Sequence, residues 1–301
     1  MTRATRVALA AVTALAAVAG CGAGAGNGPE PSQAAGAPAP GRYASIDGLE
    51  MYYEVHGPET GRPLVLLHGS LSGIQPDFGE LIPVLARDRR VIAVEQQAHG
   101  HTADVDRPLR VDQMAADTTA LLRQLGVQQA DVLGFSTGAA VALDMGLKEP
   151  ALVHKLVLVS PMYDPAGMHP GLIEGLAGLQ PEMLHGTPFH EYYLAAASRP
   201  DDFGSLVEKN KDLQLNYPKH SASTIQSLAA PVLLVVGDSD VVRIDHVTEF
   251  FRLLGGAVNG DIAGLPQSQL AVLPGTTHIG VMHRPELPSI VPAFLDAPRP
   301  G

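Results

Sequence analysis

The sequence has 301 residues, 46% of them hydrophobic, which is enough apolar material for one large domain or two small ones. Its 31 acidic residues outnumber 20 basic ones, for a formal charge of −11, and that balance argues against nucleic acid as a partner. The chain has a single cysteine, so no disulfide forms within it, and no His or Cys cluster has zinc-ligand spacing.

The chain starts with Arg3 and Arg6, followed by an apolar run over residues 7–19 and then Gly20-Cys21. A basic start, a short apolar run and a small-residue site read as a secretory signal over residues 1–20. The run is too short to span a bilayer comfortably. Val18-Ala19-Gly20-Cys21 resembles a bacterial lipobox, in which the cysteine is lipidated and becomes the new N-terminus. Cys21 is the only cysteine and falls at this site, so lipidation at Cys21 is expected rather than an ordinary signal peptide with an incidental cysteine. Residues 22–42 are Gly, Ala, Pro and Ser with almost no large apolar side chain. They read as a flexible tether from a membrane anchor at residue 21 to a domain over residues 43–301.

Strand patterns follow at residues 49–55 and at 63–69, the latter a continuous apolar run stopped by Gly69, as suits a parallel strand covered on both faces. A helix is predicted over 76–88, with Phe78, Leu81, Ile82 and Leu85 on one face, and a strand over 90–95. Residues 111–125 form an amphipathic helix, with Met114, Leu121 and Leu122 among its apolar positions. A strand beginning at Asp131 leads through a tight turn into a small-residue helix that ends before Pro150, and another strand covers 155–160. This alternation implies a parallel sheet. The rhythm breaks over 162–225, which lacks a strong strand pattern and carries Met162, Tyr163, Tyr192, Tyr193 and Tyr217. It resumes at Pro231 with a buried strand, a helix over 247–254, a Gly-rich loop over 255–266, a strand ending at His278 and a closing helix over 287–295.

Three motifs carry chemistry. Gly134-Phe135-Ser136-Thr137-Gly138 is a G-x-S-x-G turn between a strand and a helix. A side chain at Gly134 or Gly138 would collide with the neighbouring strand or helix. Ser136 is pushed out of the corner, and the Thr137 N–H lies in the first helical turn, where it has no intrahelical partner. The strand from Pro231 ends in Gly237-Asp238-Ser239-Asp240, and the last strand ends in Gly275-Thr276-Thr277-His278. Serine, acid and histidine in that order, each at the C-terminal end of a strand, form a hydrolase triad order.

With His68-Gly69 and His99-Gly100, these motifs make residues 45–296 resemble the α/β-hydrolase family. Glu95, Ala98 and Ala139 depart from the family's usual Asp, Gly and Gly. The resemblance implies an α/β fold, a mostly parallel doubly wound sheet of the α/β-hydrolase type. It also implies a helical cap over the active site, formed by the insertion at about 162–225, and a structural His68 that shapes the oxyanion loop. Cap helices are expected at 191–197 and 203–213. Their Met and Tyr side chains suit an apolar pocket, although for any single one packing onto the core is the better reading.

The proposed nucleophile is Ser136, the base is His278, and the orienting acid is Asp240. Asp238, two residues earlier, matches the family position less well, and Asp164, just after the preceding strand, is an alternative because some relatives place the acid there. Asp245 reads as a helix-start residue, and His283 as surface or packing. The oxyanion donors are the N–H of Thr137 and one from the loop after Gly69, with Ser70 preferred and Leu71 second.

Ser136 excludes the aspartate-nucleophile chemistry of dehalogenases and epoxide hydrolases. The expected function is therefore hydrolysis of small or medium apolar carboxylic esters through an acyl-enzyme. No metal or organic cofactor is needed, and the only membrane contact is the N-terminal lipid. Carbon–carbon bond hydrolysis and cofactor-free peroxidase-like chemistry are alternatives in the same fold. A non-catalytic ligand-binding relative is the alternative from another class, and it would have no reason to keep all three residues.

Cys21→Ser should move the protein from the membrane fraction to the soluble fraction. An unchanged distribution on fractionation, or a mature N-terminus elsewhere, would reject lipidation.

Overall fold

The structure is a computed structural model and describes residues 41–298. The expected signal, Cys21 and almost all of the tether lie outside the described residues. Eight strands form one sheet in the order β1-β2-β4-β3-β5-β6-β7-β8. They are β1 (Arg42–Ile46), β2 (Leu49–His56), β3 (Leu64–Leu67), β4 (Val91–Val94), β5 (Ala130–Phe135), β6 (Val153–Val159), β7 (Val232–Ser239) and β8 (Gln269–Thr277). β1 and β2 are antiparallel to their neighbours, and β4 through β8 pair in parallel.

Helices cover both faces. In chain order they are α1 (Ile74–Phe78), α2 (Ile82–Leu85), α3 (Val111–Gln124), α4 (Thr137–Lys148), α5 (Leu172–Ala177), α6 (Pro188–Ala196), α7 (Phe203–Leu215), α8 (Ala222–Gln226), α9 (Ile244–Leu253), α10 (Gly260–Ala263) and α11 (Leu287–Asp296). Successive strand residues point to opposite faces. Val65, Leu67, Val132 and Leu156 therefore pack toward α3, α4 and α9. Leu64, Leu66, Leu133 and Val157 pack toward α1, α2 and α11. Burial on both faces is why these strands read as continuous apolar runs.

The structure differs from the sequence reading in several places. The tether stops one residue short of its expected end, because β1 begins at Arg42. β1 joins β2 through Asp47-Gly48, whose φ values of 46° and 80° are those of a type I′ hairpin turn. The Asp-Gly pair was the available signal for that hairpin. The helix expected over 76–88 is two short helices. Pro83 cannot donate a backbone hydrogen bond, and the chain breaks at Gly79, ahead of it. Phe78, Leu81, Ile82 and Leu85 nevertheless share one buried cluster, as their spacing predicts. The Gly-rich loop over 255–266 contains the short helix α10.

Residues 162–225 carry α5 to α8 and single turns of 3₁₀ helix, and no strand longer than an isolated bridge between Met168 and Val242. α6 starts three residues earlier than expected. Thr187 accepts the His190 N–H as its N-cap, and Pro188 occupies the first helical position. Among the described residues no helix is long and apolar enough to cross a membrane.

At the β5–α4 corner, a Cβ on Gly138 would stand 2.1 Å from the Leu67 carbonyl oxygen. That neighbour is backbone in the central strand and cannot swing aside. Gly138→Ala should therefore destabilise the fold by about 3 kcal/mol or more. Gly204→Ala in α7, where a Cβ would meet only Pro181 Cγ at an unstrained 3.9 Å, should be neutral or stabilising. Urea unfolding of the two variants checks the contrast.

Candidate active site

The site begins at the corner between β5 and α4. Ser136 has φ 53° and ψ −115°, a region that non-glycine residues seldom adopt. Such a conformation costs on the order of 1–3 kcal/mol and persists only where the surroundings enforce it. The Ser136 N–H donates to the Val159 carbonyl, and its own carbonyl accepts the N–H of Ala139. A Cβ on Gly134 would lie 2.1 Å from the Gly138 oxygen, so strand and helix meet backbone to backbone.

β8 delivers His278 to this corner, and its Nε2 lies 3.0 Å from Ser136 Oγ. The ring rests against Phe135, with centroids 5.1 Å apart. The other ring nitrogen, Nδ1, lies 2.8 Å from Asp240 Oδ1. Asp240 is buried and accepts two further hydrogen bonds, from the Ser160 hydroxyl at 2.6 Å and the Val242 N–H at 3.1 Å. Burial alone would raise its pKa, but the bond to His278, the imidazole charge, Ser160 and Val242 outweigh that and hold it below the usual carboxylate value. The carboxylate therefore stays ionised and acts only as an acceptor.

The other acids lie elsewhere. Asp238 is exposed and accepts the N–H groups of Gly275 and Thr276, tying β7 to the turn before His278. Asp164 caps a 3₁₀ turn through the Ala166 N–H and pairs with Lys219 at 2.9 Å. Asp245 sits in the first turn of α9 beside Arg243. His283 is half-exposed, with Glu80 3.9 Å away.

The loop after β3 forms the opposite wall. The Gln96 N–H donates to His68 Nε2 at 3.0 Å, so the His68 proton sits on Nδ1 and is donated to the Gly69 carbonyl at 2.7 Å. Asp77 accepts the Gly69 N–H and the Ser72 hydroxyl, both at 2.7 Å. Burial drives the Asp77 pKa up, and these bonds only partly oppose it. Leu71 has φ 59°, which turns the loop back toward α1. Ser70 and Thr137 meet across the gap, with their hydroxyl oxygens 2.6 Å apart. Thr137 directly follows Ser136 at the start of α4, and the Ser70 loop meets it there.

Glu95 forms a second layer behind this loop. It is fully buried and accepts the N–H of Ile74, the N–H and Nδ1–H of His101, and the Tyr192 hydroxyl. Burial would raise its pKa, but these donors keep it below the usual value, and the same contact raises the pKa of His101. Burial and the nearby His68 push His99 down to about 3, so it is neutral. Tyr192 belongs to α6, so Glu95 fastens the insertion to the sheet.

The sequence reading named Ser136, Asp240, His278, Ser70 and Thr137, and the structure brings these five together around one corner. Cys21 is outside the described residues. The sequence reading did not single out Asp77, Ser160 or Gln214, whose amide nitrogen lies 3.3 Å from both the Ser70 and Thr137 hydroxyl oxygens, and it gave Tyr192 only as one of the tyrosines of the insertion. None of the four sits in a local motif.

A profile of the alpha/beta hydrolase fold matches residues 62–285. A putative carbamate hydrolase of Variovorax paradoxus is 35% identical over 116 residues, which is 37% of this chain and 42% of that protein. A 2-hydroxymuconate semialdehyde hydrolase of a Pseudomonas species is 31% identical over 125 residues, 40% of this chain and 43% of that protein. The chain thus spans less than half the length of either relative. A carboxylesterase structure from Nitrososphaera gargenis superposes with a TM-score of 0.67 at 18% identity, covering 85% of this chain and 97% of that one, and shares its fold. The matched profile spans most of the chain and includes the β5–α4 corner and the ends of β7 and β8, so this protein belongs to the alpha/beta hydrolase fold family.

Proposed function

We propose that the protein is a serine hydrolase that cleaves carboxylic esters through an acyl-enzyme. The observation that carries this reading is the unbroken hydrogen-bond chain from Ser136 Oγ through both His278 nitrogens to Asp240. A serine hydroxyl attacks only when a base takes its proton. His278 Nε2 takes it as Oγ bonds to the ester carbonyl carbon. Asp240 holds the Nδ1–H and stabilises the imidazolium that results. The carbonyl oxygen, now negative, is met by the N–H groups of Thr137 and Ser70. As the intermediate collapses, the imidazolium gives its proton to the alcohol that leaves. A water activated by the same histidine then hydrolyses the acyl-enzyme.

The Met and Tyr side chains of residues 162–225 support an apolar substrate of small or medium size. A second reading, carbon–carbon bond hydrolysis, is supported by the resemblance to the Pseudomonas semialdehyde hydrolase. A panel of nitrophenyl esters, carbamates and ring-cleavage products, assayed on the mature protein, separates the two. We also propose that the enzyme works at the membrane surface through lipid on Cys21, a reading supported by the pattern at the N-terminus.

Ser136→Ala should lower kcat on an activated ester by roughly 10⁴-fold or more while the circular dichroism stays unchanged. Normal turnover by the folded variant would remove Ser136 from its role. Asp240→Asn should cost about 10⁴-fold, since the carboxylate fixes the tautomer of His278. Asp238→Asn should cost far less, and Asp164→Asn almost nothing. A crippled Asp238 or Asp164 variant beside an active Asp240→Asn enzyme would show that the acid is misassigned.

A further inference from the structure

The hydroxyls of Ser70 and Thr137 have more protons than their mutual contact can use. Their oxygens are 2.6 Å apart, so one hydroxyl donates to the other. Gln214, near the end of α7, places its amide nitrogen 3.3 Å from each oxygen and donates to both. Its carbonyl oxygen Oε1 is buried with no hydrogen-bond partner among the described residues. The reverse orientation of the amide would leave an orphaned NH₂ there. An unmet buried donor costs more than an under-used carbonyl oxygen, so the nitrogen faces the hydroxyls. Gln214 then offers no acceptor to the pair, and one hydroxyl proton remains free.

The free proton belongs to the more open residue. Thr137 is buried at the first position of α4, whereas Ser70 is only half-buried on its loop. With Thr137 donating to Ser70, Ser70 Oγ accepts from Thr137 and from Gln214, and its own O–H points away from both. Ser70 Oγ meets the side chain of Thr137, the residue that follows the nucleophile, and Gly69 packs so closely that a Cβ there would stand 3.5 Å from the Cβ of Ser136, so the Ser70 loop lies beside the nucleophile.

We propose that the Ser70 hydroxyl is a third donor to the oxyanion, aimed by Thr137 and by Gln214 of α7. The proposal rests on the ester-hydrolase reading above. No proton is transferred in this contact, because the hydroxyl only hydrogen-bonds the negative oxygen while Ser136 and His278 carry the bond making and breaking. A bond to an ionised oxygen is stronger than one to the neutral carbonyl, so it favours the transition state over the bound ester. Thr137 and Gln214 are positioning residues. Because Gln214 sits on the insertion, the third donor is aimed only when α7 is seated over the corner.

The test uses p-nitrophenyl butyrate turnover together with inhibition by an aliphatic trifluoromethyl ketone, whose adduct with Ser136 carries an oxyanion. Ser70→Ala should lower kcat by about 10²-fold with KM little changed, and should weaken ketone inhibition in parallel. Thr137→Val should lower kcat, and Thr137→Ser should recover it. Gln214→Leu, a change on a half-exposed helix residue that leaves the loop intact, should lower kcat by about tenfold. Gln214→Glu should be worse, because its carboxylate captures the Ser70 proton and sets a negative charge beside the developing oxyanion. Wild-type kcat and ketone affinity in Ser70→Ala and Gln214→Leu would overturn the third donor. A fully active Gln214→Glu enzyme would overturn the orientation on which it depends. A wild-type enzyme inert to both ester and ketone would instead defeat the ester-hydrolase reading, and this proposal with it.

Discussion

Between β5 and α4, backbone touches backbone with no side chain in between. The Gly138 oxygen occupies the space that a Cβ on Gly134 would need, and the Leu67 oxygen occupies the space that a Cβ on Gly138 would need. This crowding lets α4 start immediately after the strand, and it forces Ser136 into its positive-φ conformation. Close packing does not relax in small increments, so the strained serine has no cheap alternative. The position of Oγ, the direction of the Thr137 N–H and the approach of the loop after β3 all follow from that one contact.

Buried carboxylates then hold the rest of the site in register. Asp240 and Glu95 are each met by enough donors to remain charged despite burial. Asp77 has fewer, and burial wins there. Each acid ties separate segments together. Asp240 joins the ends of β6, β7 and β8. Asp77 joins α1 to the loop at Gly69. Glu95 joins β4, the loop at His101 and α6. A buried charge with its donors removed is costly, so these acids fix one arrangement of the loops.

The insertion over residues 162–225 is fastened by polar contacts and packed by its aromatic residues. Tyr192 reaches Glu95 and Gln214 reaches the hydroxyl pair. Tyr163 stacks on His246 with centroids 4.4 Å apart, Tyr193 packs on Phe203, and Tyr217 is buried. Tyr163 and Tyr192 thus tie the insertion to the rest of the domain, and Tyr193 packs within it.

Much of the fold was legible locally. Runs such as Leu64 to Leu67 announce doubly covered strands, and the helical spacing of Phe78, Leu81, Ile82 and Leu85 predicts their shared face even though Pro83 splits the helix. The Gly134–Ser136–Gly138 spacing announces the corner, because only glycine tolerates that approach. Composition and spacing settle such matters because they depend on a residue's own chemistry and its near neighbours. The choice between Asp238 and Asp240 was of another kind. Both leave the same strand, and only the register shift in the β7–β8 pairing between Gly237 and Ser239 turns Asp238 to the amides of Gly275 and Thr276 and Asp240 inward to His278. Ser160, Asp77 and Gln214 were likewise invisible. Gln214 is 144 residues from Ser70, and no periodicity links the two positions. The sequence by itself determined which elements form and where the reactive side chains leave them. Which polar groups meet was decided by the tertiary structure, since a hydrogen bond across the site depends on distances set by the packing of the whole sheet and its insertion.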